Sequence, residues 1–110
     1  PPPNSIAKHC VSPSGEAQFY VALNVANREG TIRYRYFGQD ILYRVSDLAV
    51  NGGEIVGAAE FVESATGEVR GNTWTFIYRY EEAQLVDGSI VADCLPLQDT
   101  SLSELPVKDD

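Results

Sequence analysis

An all-β domain is predicted, an antiparallel meander of seven or eight strands forming a small barrel or sandwich, with its first and last strands tied by a disulfide. Three observations predict it. Apolar residues recur with period two over long stretches, turn-forming residues separate those stretches, and the only two cysteines, Cys10 and Cys94, lie near opposite ends of the patterned region. Period-two alternation marks half-buried strands, whereas the same pattern would scatter apolar residues around a helix.

The first strand is expected at 6–11, ending before Ser12-Pro13-Ser14-Gly15. The second, at 17–26, places Phe19, Val21, Leu23 and Val25 on one face, and Asn27 to Gly30 end it. Thr31 to Phe37 puts Ile32, Tyr34 and Tyr36 opposite Arg33 and Arg35. A tight connection at Gly38-Gln39 leads to a strand at 40–50, and Asn51-Gly52-Gly53 is a strong hairpin signal before the strand at 54–63. Ser64 to Asn72 reads as the longest interior loop. Beyond it, Trp74, Phe76, Tyr78 and Tyr80 alternate through a strand at 73–80, and a last stretch at 84–95 contains the turn signal Asp87-Gly88.

The domain is expected to span 6–97, between a proline-rich lead at 1–5 and a flexible acidic tail at 98–110. A Cys10–Cys94 bond would join the terminal strands and so favours a closed barrel, which also removes exposed sheet edges. An immunoglobulin-like sandwich fits less well, because Trp74 falls late in the interval between the cysteines. A two-cysteine pair in a short chain points to an oxidising compartment. With the opening Pro1-Pro2-Pro3-Asn4-Ser5 and no initiator methionine, a mature periplasmic or secreted protein is expected.

Sixteen acidic against eight basic side chains give a net charge of -8, which argues against a phosphate-binding surface and so against nucleic acid. No apolar run approaches the ~20 residues of a helical membrane span. Zinc-type cysteine spacing, calcium-loop spacing, a nucleophile elbow and a phosphate-cradling glycine loop are all missing, so neither metal nor cofactor is expected. His9 is the sole histidine, and with Asp93 beside the other cysteine it supplies at most half of a hydrolytic triad. Catalysis is therefore not expected; a hydrolase using His9 and Asp93 is the remote alternative.

Binding is the better expectation. Six of the eight basic residues are arginine, and Arg33, Arg35, Arg44 and Arg79 lie within strands among tyrosines. Arginine and tyrosine dominate binding hot spots because each offers a large rigid surface with a polar tip. The competing expectation places these arginines on a solvated face, paired with Glu54, Glu60 and Glu82. The expected contact set is Arg33, Arg35, Arg44, Tyr78 and Arg79 with Val69 and Arg70 at the tip of the 64–72 loop. An inhibitor or immunity-type protein that binds another, basic protein is the function expected from this pattern. A small lipocalin-like carrier of an apolar ligand is the alternative, since Gly57, Ala58 and Ala59 remove side-chain volume.

Overall fold

The computed structural model describes residues 3–36, 39–63 and 68–97; the side chains of 39, 63 and 68–72 lie outside that description. Eight strands follow in order: β1 (Ser5–Val11), β2 (Ala17–Asn24), β3 (Glu29–Tyr36), β4 (Gln39–Asn51), β5 (Glu54–Glu63), β6 (Glu68–Arg79), β7 (Gln84–Asp87) and β8 (Ile90–Pro96). Each pairs antiparallel with its neighbour in sequence, and β1 pairs with β8, so the meander closes into a barrel. Closure decides between barrel and sandwich.

The seam between β1 and β8 runs from Lys8↔Pro96 to Val11↔Asp93. At its centre Cys10 and Cys94 face each other with Cα atoms 3.9 Å apart and are bonded, sulfur to sulfur, at 2.01 Å. Alternation then sorts side chains to the two sides of the wall. Phe19, Val21, Ile32, Val45, Ile55, Phe76, Leu85 and Ala92 are all within 1% of full burial and form one core. Ala59 joins them, and the space above Gly57 is filled by Leu48 and Phe76, whose nearest atoms would stand 2.6 and 2.9 Å from an added Cβ. The small residues of β5 therefore serve close packing; they do not open a void.

Several boundaries differ from expectation, each for a physical reason. β2 stops at Asn24 because its side-chain oxygen accepts the Asn27 N–H at 3.0 Å, turning the chain two residues early. The last stretch divides into β7 and β8 at the Gly88-Ser89 turn; Gly88 has φ 60°, and a first-position glycine with positive φ suits a tight hairpin. β6 starts at Glu68, five residues before the expected 73, because Val69 and Glu68 continue the ladder opposite Val62 and Glu63. Most of the expected 64–72 loop is thus strand backbone. In β4 the register slips between Ser46 and Ala49, where Asp47 takes φ 57°. That bulge turns Leu48 into the core at 2% exposure.

Candidate functional site

Two places in the barrel gather chemistry: the outer face of β1 to β4, and the interior at one end.

On the outer face the ladder sets Tyr20 opposite Arg33, Arg35 opposite Asp40, and Thr31 opposite Arg44. The His9 ring stacks on Tyr20, centroids 4.5 Å apart and planes 3° from parallel, and His9 Nε2 lies 2.9 Å from Gln18 Oε1. The Tyr20 hydroxyl donates to the same Gln18 oxygen at 3.3 Å. The Arg35 guanidinium sits 5.7 Å from the centre of the Tyr20 ring and donates to Asp40 Oδ2 at 3.1 Å. Contacts of this cation–π kind contribute about 0.5–1 kcal/mol when partly exposed.

Arg33 is buried, reaches Asp40 Oδ1 only at 3.8 Å, and its Nε and Nη1 make no hydrogen bond. Arg44 is exposed on the same face. Three guanidinium groups against the carboxylates of Asp40 and of Glu60, which stands opposite Arg44 on β5, leave a net positive patch on an acidic protein. Arg44 also lines an open groove of about 670 Å³ that extends the face toward Arg28, Asn27 and Asp47.

The other expected contact residues sit elsewhere. Arg79 points outward on β6 and pairs with Glu54 at 3.8 Å, in line with the solvated-face expectation for that residue. β5 separates β6 from β4, so Arg79 does not join the Arg33–Arg35–Arg44 patch. Tyr78 is 1% exposed, between Ile55 and Leu85 in the core, and cannot meet a partner. The side chains of Val69 and Arg70 fall outside the described residues. His9 and Asp93 bond in different directions: His9 with Gln18, and Asp93 Oδ1 with Gln84 Nε2 at 3.2 Å.

The second place carries no motif in the sequence. The hairpin connections after β1, β3, β5 and β7 all lie at one end of the barrel. There the inward positions carry aromatic rings in two contacting sets, one on β2 and β3 and one on β4 to β6. Phe19 stacks on Tyr34 at 4.9 Å, Tyr43 meets Trp74 edge-on at 5.2 Å and 89°, and Trp74 meets Phe76 at 6.0 Å. Phe76 and Phe19 are buried, while Tyr34, Tyr43 and Trp74 above them are only partly so. The interior is filled below and reached by solvent above.

Asp87 enters this mouth because it alternates with Leu85, which is 0% exposed. Its carboxylate acts on the Tyr34 and Tyr43 hydroxyls from across the barrel. Burial raises the Asp87 carboxyl above its ordinary range, and no described residue gives it a hydrogen bond or a cationic partner. Burial likewise raises Tyr34, with Tyr36, Tyr43 and Asp87 adding to it. Burial raises Tyr43, opposed by the neighbouring Trp74 N–H. That indole nitrogen is itself buried and makes no hydrogen bond of full geometry.

A carboxyl whose folded pKa is raised stabilises the fold only while protonated, below its unfolded range near 3.8, and that advantage is lost as pH rises through the folded value. Asp87→Asn is therefore expected to unfold at a higher temperature than the parent at pH 7. The gap should close below about pH 4. Thermal melts of both proteins across pH 3–8 check this, and equal melting temperatures at pH 7 would contradict it.

Comparison with protein-family models, with characterised proteins and with solved structures finds no match, so the geometry carries the functional reading.

Proposed function

We propose that this chain is an exported, non-catalytic binding protein of the inhibitor or immunity type, which contacts another protein through the outer face of β2 to β4. One observation carries the reading. Arg35 is already held over Tyr20 and against Asp40, on the same face as an exposed Arg44. Such a face has less side-chain entropy to lose on association than free arginines, and it offers donors that a partner carboxylate can satisfy. The rest of the molecule is acidic, so the fitting partner is a basic protein that presents an acidic group to this patch. The disulfide supports an oxidising compartment, consistent with the periplasm or an extracellular space. The closely filled lower barrel supports protein contact over the enclosed apolar cavity that a lipocalin-like carrier needs.

The test uses the whole chain as bait in periplasmic extract or culture fluid, with an Arg35→Glu/Arg44→Glu variant and an Arg79→Glu control. A specific partner should be retained by the parent and the control and weakened about tenfold or more by the double reversal. The double variant should stay folded but melt a few degrees lower, because Arg35 gives up its contacts with Tyr20 and Asp40, so capture is compared well below its midpoint. Undiminished capture by the double variant, or equal loss in the control, overturns the proposed face.

A further inference from the structure

The aromatic mouth combines features that the protein-contact reading does not use. Its wall is built from Tyr34, Tyr43 and Trp74, two of them meeting at a right angle, so ring faces turn toward a shared corner. At its rim, Tyr36 is 37% exposed and stacks 6.0 Å from Tyr34. Across the opening stands Asp87, half-buried on β7, at the end of the β7–β8 hairpin. Among the described residues, Tyr34, Tyr36 and Tyr43 are the titratable groups linked electrostatically to one another and to Asp87 in this mouth, and none of them supplies positive charge.

We infer that the barrel mouth is a binding site for an organic ammonium group, with Asp87 as its counter-ion and the Tyr34, Tyr43 and Trp74 rings as its wall. The chemistry is complementary on each side. The faces of tyrosine and tryptophan rings are electron-rich and attract a cation held within ~6 Å of the ring centre. A carboxylate taken partly out of water lacks the compensation that buried charge requires, and an ammonium group restores it. A neutral apolar molecule in the same place would bury Asp87 further and leave it unpaired. The alkyl part of an amine meets the rings, while its head reaches the carboxylate. A free amine and a lysine side chain offered by another protein share this chemistry.

Trp74 is the only tryptophan in the chain, so its fluorescence reports on the mouth directly. The full chain is titrated at pH 7 and constant ionic strength with butylammonium, with butanol as the neutral isostere, and with Nα-acetyl-lysine amide. Butylammonium should change Trp74 emission saturably and butanol should not. Asp87→Asn should weaken butylammonium at least about tenfold, the loss expected for one desolvated charge partner. Binding should strengthen as pH rises from 4 to 7, because the site needs Asp87 ionised. Acetyl-lysine amide binding like butylammonium assigns the site to a protein lysine, and its rejection assigns it to free amines. Equal responses to butanol and butylammonium, or an unchanged affinity in Asp87→Asn, overturns the inference. Arg35→Glu/Arg44→Glu should leave the amine response intact, so failure of the amine site is separable from failure of the protein-contact face.

Discussion

Replacing both Cys10 and Cys94 with alanine is expected to cost about 4 kcal/mol of stability, a large share of what a domain of this size has. The bond spans 84 positions of sequence, and so removes much of the freedom of the unfolded chain. It also holds a short seam, the one that closes the barrel, against opening. β1 meets β2 over seven register pairs but meets β8 over four, from Lys8↔Pro96 to Val11↔Asp93. Pro96 has no N–H to give to that ladder. Total stability near 5–10 kcal/mol is ordinary at about this length, so the variant should be marginal and its melting temperature lower by roughly 15–30 °C. Urea unfolding of the oxidised parent and the double alanine variant measures the difference. A loss below about 1 kcal/mol would mean that the strand pairing alone keeps the barrel shut.

Tyr78→Ala follows closely, at about 3–5 kcal/mol, the usual cost of deleting a buried aromatic ring. Tyr78 is the largest of the fully buried side chains, packed in the cluster that includes Phe76, Ile55 and Leu85. Truncation leaves a cavity that the rigid ladder on both sides, Ile55↔Tyr78 and Tyr78↔Leu85, cannot close. Tyr78→Phe should retain most of the stability, because it keeps the ring. Burial raises the Tyr78 hydroxyl above its ordinary 10.0, so the fold favours the protonated phenol and stability should fall as pH rises past that value. Chemical denaturation of the two variants at neutral pH separates core packing from a surface role. A fully stable Tyr78→Ala that had lost its partner would restore the contact role expected from sequence.

Much of the architecture is legible in the sequence because it rests on short-range rules. Period-two alternation places Phe19, Val21 and Leu23 inside, and Asn51-Gly52-Gly53 makes its hairpin through two glycines at φ 55° and 91°. The same alternation groups Tyr78 with Trp74 and Phe76, so its burial follows from periodicity, and only its residue type suggests a contact role. Less is legible where one residue changes the phase. The bulge at Asp47 and the extension of β6 to Glu68 depend on how neighbouring strands align, which no local window contains. At the outer face, the arginines are identifiable but their partners are not. Asp40, not a glutamate on β5, meets Arg33 and Arg35, because the β3–β4 register sets Arg35 opposite Asp40. In the sequence Asp87 stands out only as half of a turn signal. Its shared phase with Leu85 is the available sign that it points inward, yet what it faces comes from β3 and β4 across the barrel.

The central claim is that the β2–β4 outer face is where this barrel meets another protein. Amide hydrogen exchange of the chain, free and bound to the protein it captures, tests that claim most directly. The expected result is slowed exchange in β2, β3 and the Gln39–Ser46 half of β4, with the amides of Glu68–Arg70 unchanged. Protection centred on Glu68–Arg70, with β3 and β4 exchanging as in the free chain, would contradict it and move the contact to the strand that carries Val69 and Arg70.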